Sequence, residues 1–339
     1  MGTVLAGIDE AGYGPLLGPL CVGLAVLRAP GHDGPVPDMW KLLKAGVCRE
    51  PGRGGATDRL GRVPIADSKE LKLSNAVTTT HPLVHLERGV LAFLRATGRV
   101  IPQTDADLFD ALGVCTNSPG CYRVDALPVP GALSRGEADI AAATVERALG
   151  GAGCAALSLR ADVTWEPGFN GVVRSTGNKG EATIAAIGRL LRTVWETCAE
   201  CVDADGSPRR LGIVCDRLGG RTSYAGVLAA VVPGCTVTVI EEGPARSRYV
   251  VECGTRRAGV SFLTEGERAH LPVALASMVA KYTRELAMRR FNAFWGERAR
   301  ARGVELRPTA GYRQDAHRWL SDVGDLMTGD ERAQLVRIA

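Results

Sequence analysis

The chain has 339 residues, of which 45% are hydrophobic and 23% charged, a composition typical of a globular protein with an ample core. Its 41 basic and 37 acidic residues give a formal net charge of +4, which permits a nucleic-acid partner without requiring one. No apolar run reaches the roughly 18 residues that a transmembrane helix needs, and Asp9 and Glu10 stand too early for a secretory signal. Ten scattered cysteines predict buried thiols in a reducing cytoplasm. Cys198 and Cys201 form a lone pair without a second pair at zinc-like spacing, so no structural zinc is expected.

The hydrophobic pattern predicts strands that alternate with helices along the chain. Predicted strands cover 4–8, 20–27, 155–163, 211–215 and 236–240, with a hairpin over 249–262. Predicted helices cover 83–94, 134–149, 179–199, 224–232, 273–298 and 319–326. Residues 30–63 are rich in Gly, Pro and Arg and predict an inserted surface loop with one short helical piece near Trp40. The alternation favours an α/β fold with a sheet core, followed by a purely helical end.

Acidic side chains follow three of the predicted apolar strands or hairpins. Asp9 and Glu10 come after the first strand, Asp216 after the strand at 211–215, and Glu267 after the hairpin. A single acid at the end of a strand is usually a turn former or a helix cap, but four acids that converge repel one another unless protons or cations compensate them. Hard divalent ions prefer such oxygen ligands, and two of them together can drive phosphodiester hydrolysis. A two-ion site is therefore the hypothesis that these acids support.

The sequence around these acids resembles a known family in ordered blocks. Residues 9–19 are DEAGYGPLLGP, residues 67–71 are DSKEL, residues 214–220 are VCDRLGG and residues 276–281 are ASMVAK. These blocks are similar to motifs of the type 2 ribonucleases H, the ribonuclease HII and HIII family, whose first motif is Asp-Glu-Ala-Gly-Arg-Gly-Pro-x-x-Gly-Pro. Tyr13 replaces the arginine of that motif. Glu267 stands ten residues before Ser277, at the place of the family's fourth acid. The context of Glu267 resembles the HIII branch, with Glu265 in place of a lysine, whereas Gly311-Tyr312 resembles the HII branch.

The resemblance implies a ribonuclease H-like mixed sheet flanked by helices, with a helical C-terminal extension. The implied catalytic domain covers 1–298, with insertions at about 30–63, 100–150 and 241–256, and the extension covers 299–339. A monomer is expected.

The resemblance also implies cleavage of the RNA strand of an RNA–DNA hybrid or of a ribonucleotide-containing duplex, leaving 5′-phosphate and 3′-hydroxyl ends. Two Mg²⁺ or Mn²⁺ ions would be held by four carboxylates: Asp9, Glu10, Asp216 and Glu267. If the segment slips by two residues, Glu265 replaces Glu267 in this set. Substrate contacts are implied for Gly12, Tyr13, Gly14, Lys69, Ser277, Lys281 and Tyr312.

Two other functions stay open at this point. Because Tyr13 and Glu265 depart from the motifs, the chain could be a nucleic-acid-binding protein that keeps the fold with impaired catalysis. It could also be a DNA nuclease of the same superfamily. An alternative also remains for the missing arginine of the first motif: Arg174 or Arg221 could reach the turn and restore its contact.

Overall fold

The computed structural model describes residues 2–31, 36–52, 56–76, 78–115, 117–198, 206 and 210–338. The strands are β1 (Gly2–Ala11), β2 (Leu20–Pro30), β3 (Val47–Cys48), β4 (Val63–Pro64), β5 (Ala155–Thr164), β6 (Arg210–Asp216), β7 (Thr236–Glu242), β8 (Arg246–Cys253) and β9 (Arg256–Leu263). The helices are α1 (Met39–Leu42), α2 (Ser68–Leu71), α3 (Val84–Ala96), α4 (Asp105–Ala111), α5 (Arg135–Gly151), α6 (Glu166–Thr176), α7 (Lys179–Cys198), α8 (Ala225–Val231), α9 (Gly266–Ala269), α10 (Leu271–Arg300), α11 (Arg313–Val323) and α12 (Gly329–Leu335).

Seven strands form one mixed sheet in the order β5-β2-β1-β6-β9-β8-β7. The three middle strands β1, β6 and β9 run parallel, and antiparallel pairs extend the sheet on both sides. Because parallel strands end at the same edge, the chain leaves β1, β6 and β9 at neighbouring points. The predicted mixed sheet flanked by helices is confirmed.

Helices cover both faces of this sheet. One face packs against α3, α5 and α10, and the other packs against α7 and α8. Helix α10 lies directly on β1 and β2, since a Cβ on Gly7 would overlap the backbone of Pro272 and one on Gly23 would overlap that of Ala276. The absence of side chains at these two glycines lets the helix backbone approach the strands closely.

Residues 36–64 are more than the predicted surface loop. Met39, Trp40, Leu43 and Val47 are buried in the core, and the Trp40 indole donates a hydrogen bond to the Ile65 carbonyl at 2.9 Å. The parallel pair β3–β4 closes this segment. The apolar residues at 39–47 were outweighed in the sequence pattern by the Gly, Pro and Arg around them.

The C-terminal helices differ in position from the prediction. The helix predicted over 319–326 is α11, which begins at Arg313 and ends at Val323, because the polar residues before Trp319 form its exposed face. Trp319 packs against Trp295 of α10 with ring centroids 5.7 Å apart. Helices α2, α4, α6, α9 and α12 were not predicted. The helical C-terminal region itself is confirmed, and none of the described helices is long and apolar enough to span a bilayer.

Residues 241–256, expected as an insertion, lie mainly in β7 and β8 of the main sheet. The division at residue 298 stays a prediction.

Candidate metal centre

The predicted acids come together at one edge of the sheet. Ile8 of β1 pairs with Cys215 of β6, so Asp9 and Asp216 stand at the same level of neighbouring parallel strands. β9 ends beside Asp216, and Glu267 follows on the short helix α9. The convergence expected from strand ends therefore arises from the parallel centre of the sheet.

Three of the four carboxylates form a tight group. Ligand oxygens of Asp9, Glu10 and Asp216 lie within 4.8 Å of one another. A regular strand would send the side chains of Asp9 and Glu10 to opposite faces, but at this strand end both reach the group. The Asp9 carboxylate accepts a hydrogen bond from the Glu10 N–H at 2.7 Å, which fixes its orientation.

Glu267 lies outside that tight group, but it is near enough for its charge to act on two of the carboxylates. Its charge contributes to raising the pKa of Asp216 and of Glu10. Glu265, the alternative fourth acid, is exposed and pairs with Arg268 at 3.1 Å. The geometry therefore favours Glu267 over Glu265 as the fourth member.

Burial and mutual repulsion make this group costly to ionise. Burial, followed by the charges of Glu10 and Asp216, raises the pKa of Asp9 well above its usual value. Burial and the charge of Asp216 raise the pKa of Glu10 to about 7. Burial and the charge of Glu267 raise the pKa of Asp216 to about 6. Because burial and mutual repulsion raise all three pKa values, a positive charge among the carboxylates would favour their ionised forms, and the cluster is suited to a bound cation.

One carboxylate oxygen in the cluster has no hydrogen-bond partner among the described residues. Oε2 of Glu10 is buried and accepts no hydrogen bond from the described residues. Buried polar atoms are normally satisfied, so an orphan here points to a ligand that supplies positive charge. All three donors are carboxylate oxygens, which suits Mg²⁺ or Mn²⁺ better than a soft metal. The residues present therefore fit the predicted divalent ions.

Ser277 is buried against the acids rather than placed on a surface. Its hydroxyl lies 3.0 Å from that of Ser68 and hydrogen-bonds to the Asp9 carboxylate, which lowers the pKa of Asp9 against the larger effect of burial. The close approach of α10 to β1 makes this contact possible. Ser277 thus orients Asp9, and its predicted phosphate contact stays a prediction.

Lys69 is a cation that faces the cluster. It is exposed on α2, and although burial opposes it, the charges of Asp67, Asp9 and Glu267 raise the pKa of its ammonium group. The same ammonium partly opposes the rise that burial causes in the pKa of Glu10 and of Asp216. Its exposure leaves it accessible to an anionic ligand at the edge of the metal centre.

The glycine turn after β1 lies beside this edge. Gly12 has φ of 92°, and a Cβ there would come within 2.7 Å of the Arg284 Nε atom, so the fold itself requires glycine. Gly14 has open space around the position of a Cβ. Tyr13 is 36% exposed, and the Lys179 ammonium lies 5.0 Å from its ring centroid.

Lys281 and Tyr312, both predicted to contact substrate, lie in contact with each other, and their substrate contacts stay a prediction. Lys281 forms an ion pair with Glu285 at 2.8 Å and donates a hydrogen bond to the Tyr312 hydroxyl at 3.4 Å. The ring of Tyr312 is 47% exposed. The Gly311 carbonyl accepts hydrogen bonds from the N–H groups of Leu16 and Leu17, which fixes the backbone before Tyr312 to the segment that follows the glycine turn.

The alternative that Arg174 or Arg221 restores the missing contact stays a prediction. Arg221 pairs with Glu181, and Arg174 is exposed on α6. Arg337 reaches the turn, together with the fully buried Arg284. Arg284 stands in the helix that carries Ser277 and Lys281, which is a local signal, whereas no signal in the sequence points to Arg337.

The nine cysteines among the described residues are free thiols. Cys198 is buried, and Cys201 lies outside the described residues.

No protein-family model matches the chain, and no curated protein is similar to it in sequence. Solved structures similar to it are ribonucleases HII and HIII. Bst-RNase HIII in complex with Mn²⁺ has 14% identity and a TM-score of 0.40, covering 99% of this chain and 66% of that chain. RNase HII of Archaeoglobus fulgidus, in a complex with PCNA, has 12% identity and a TM-score of 0.41, covering 99% and 94%. Ribonuclease H2 of Pyrococcus horikoshii has 14% identity and a TM-score of 0.36, covering 94% and 85%. These proteins carry the name of the family that the motifs resemble. Because their similarity to this chain is low, the chemistry of the site is argued from this chain's own residues.

Proposed function

We propose that this protein is an endoribonuclease that cleaves the RNA strand of RNA–DNA hybrids by two-metal-ion hydrolysis. The observation that carries the proposal is the carboxylate group of Asp9, Glu10 and Asp216 at one sheet edge, with an orphaned Glu10 oxygen. Glu267 completes the proposed set. Mg²⁺ or Mn²⁺ ions held there would supply an activated water and stabilise the leaving 3′ oxygen. The products would carry 5′-phosphate and 3′-hydroxyl ends.

The other residues of the site bind and orient in this proposal. Ser277 holds the Asp9 carboxylate toward the cluster, and Lys69 offers an ammonium group to a substrate phosphate next to the acids. The Gly12–Gly14 turn and Tyr312 form one wall, where a ribose and its 2′-hydroxyl could approach the backbone. Such a protein distinguishes a hybrid from DNA by groove shape and 2′-hydroxyls rather than by base sequence. Action as a monomer in the cytoplasm stays a prediction.

A cleavage panel tests the proposal. The substrates are a continuous RNA–DNA hybrid, a DNA duplex with one embedded ribonucleotide and an all-DNA duplex, each with Mg²⁺ and with Mn²⁺. We expect cleavage of the first and no cleavage of the third. Asp216→Asn should remove nearly all activity, while Glu146→Gln, a surface acid on α5, should behave like wild type.

Each other outcome of the panel refutes the proposal in a distinct way. Cleavage of the all-DNA duplex would indicate a DNA nuclease. Hybrid binding without cleavage, together with no thermal stabilisation by Mg²⁺ or Mn²⁺, would indicate a binding protein that has lost its metal centre. Near wild-type turnover in Asp216→Asn would remove the basis of the metal assignment.

A further inference from the structure

We infer that Arg337 is a positioning residue that fixes the Gly12–Tyr13–Gly14 turn with its N–H groups toward the substrate. The inference rests on the proposed function, since it names what shapes the substrate wall of that same site. Arg337 is 3% exposed and lies far from the turn in sequence. It therefore acts through the turn and does not touch the substrate itself.

The guanidinium of Arg337 donates to two consecutive carbonyl groups of the turn. Nη1 donates to the Gly12 carbonyl, and Nη2 donates to the Tyr13 carbonyl at 3.1 Å. In a planar trans peptide the C=O and the N–H point in opposite directions. Because both carbonyls point toward Arg337, the N–H groups of Tyr13 and Gly14 point away from it. Neither N–H donates to another group within the described part of the chain. Successive free N–H groups of this kind form a concave site for an anion or a hydroxyl oxygen.

Arg337 is itself held rigidly in this position. Its guanidinium carbon lies 3.6 Å from the ring centroid of Phe169, and its backbone N–H donates to the Leu16 carbonyl at 2.8 Å. On either side of it, the Asn170 side chain accepts from the Ile338 N–H and donates to the Val336 carbonyl, both at 2.9 Å. Because the guanidinium group of Arg337 is held on several sides, it can fix the conformation of the turn rather than adjust to it.

A second buried arginine supports the same turn from below. Arg284 is fully buried and donates through Nη2 to the carbonyls of Leu17 and Ala310, at 3.0 and 3.1 Å. Its side chain fills the space left by the missing Cβ atom of Gly12, and together with Met288 it fills that of Gly18. Two guanidinium groups thus lie under a turn whose outer face carries free N–H groups, which favours an anionic ligand there.

Burying the charged guanidinium of Arg337 is energetically unfavourable, so space filling alone does not account for an arginine at this position. Burial and the charge of Arg284 lower the pKa of Arg337 to about 10. Nε of Arg337 and two nitrogens of Arg284 lack a partner among the described residues, and Glu166 is the carboxylate whose charge favours the ionised form of Arg337. An apolar side chain would fill this volume without the cost of burying a charge, but it could not donate to the two carbonyls of the turn.

The test separates hybrid affinity from metal binding and from folding. Arg337→Met removes the fork and keeps an apolar side chain, and Arg337→Lys keeps the charge without the planar pair of donors. Arg332→Met is the control, since Arg332 lies in the preceding helix and donates to the Leu320 carbonyl, away from the turn. Binding is measured by fluorescence anisotropy of a labelled RNA–DNA hybrid, on an Asp216→Asn background that leaves the hybrid uncut. KM and kcat are measured with Mn²⁺ on the otherwise unchanged protein.

We expect Arg337→Met to raise the Kd and the KM for the hybrid about tenfold, with kcat and the Mn²⁺-dependent thermal shift close to wild type. The Kd of Arg337→Lys should lie between those of wild type and Arg337→Met, and the Kd of Arg332→Met should match that of wild type. An unchanged Kd in Arg337→Met, or a fall in kcat at constant KM, would overturn the inference. If Arg337→Met does not fold, a wild-type Kd in Arg337→Lys overturns it. A wild-type protein without affinity for the hybrid would instead refute the proposed function itself, and the inference with it.

Discussion

Replacing Glu10 by glutamine should stabilise the metal-free protein at alkaline pH. Glu10 has an orphaned buried oxygen and lies beside two other carboxylates, so its ionised form is unfavourable in the folded state. Glutamine keeps the shape and removes the charge. The usual result of a substitution at a half-buried site is a loss of stability, so a gain would be diagnostic of repulsion among the acids.

The size and pH range of the effect follow from the pKa of Glu10. Folding raises it from 4.5 to about 7, so between these values the folded state binds more protons than the unfolded state. Stability therefore falls as the pH rises through this range, and above pH 7 the cost reaches at most about 3 kcal/mol. The gain from Glu10→Gln should be below about 1 kcal/mol at pH 5 and approach 3 kcal/mol at pH 8. For a chain of this length the larger value corresponds to a melting temperature about 4 °C higher.

The assay is denaturant unfolding of wild type and Glu10→Gln in EDTA at pH 5 and pH 8. Glu146→Gln, which removes an exposed partner of Arg95, serves as the control and should change stability by less than about 0.5 kcal/mol at either pH. Adding Mg²⁺ at a hundred times its Kd should stabilise wild type by about 2.7 kcal/mol and the Glu10 variant by less. Equal or lower stability of Glu10→Gln at pH 8 would refute the repulsion between the acids.

Three further outcomes are expected. Gly12→Ala should lower the melting temperature, because the new Cβ would approach Arg284. Gly14→Ala should leave the melting temperature unchanged, since the space there is open, and should weaken hybrid binding if substrate approaches there. Equal melting temperatures of the two variants would contradict this. Hybrid affinity should fall steeply with salt, and Lys69→Ala should reduce the slope of log K against log [salt] by about one. An affinity of the wild type that does not change with salt would contradict both expectations. A duplex with four consecutive ribonucleotides should be cut better than one with a single embedded ribonucleotide. Tyr13→Arg should shift the ratio of the two cleavage rates toward the single ribonucleotide. A preference of the wild type for the single ribonucleotide would refute this.

The convergence of the acids could be predicted because local signals and topology agree. An acid directly after an apolar strand is visible in the sequence, and parallel strands bring such positions to one edge. The pairing of Ile8 with Cys215 accordingly brings Asp9 and Asp216 to the same level. Glu267 was harder to place, since it follows β9 by way of a short helix, and only the structure distinguishes it from Glu265 through the latter's contact with Arg268.

The contacts that shape the wall of the site could not be predicted, because they join distant parts of the chain. Arg337 stands in a segment without a motif, and its partners are backbone carbonyls, which every residue has. Helix α6 was missed for a similar reason. It buries Phe169 and Asn170 against residues near the C-terminus, and its apolar positions are too few to give a strong pattern on their own.

The substitution of tyrosine for the motif arginine has a physical counterpart in these long-range contacts. Tyr13 lacks a charged donor fork, yet positive charge is still present at the turn, from Lys179 on its outer side and Arg337 beneath it. An arginine on the turn could reach out and form paired hydrogen bonds with one particular phosphate. A guanidinium beneath the turn attracts any anion that approaches the free N–H groups, without choosing among them. The arrangement in this chain therefore favours general attraction of a sugar–phosphate backbone over selection of one junction, which is the basis of the preference expected for runs of ribonucleotides.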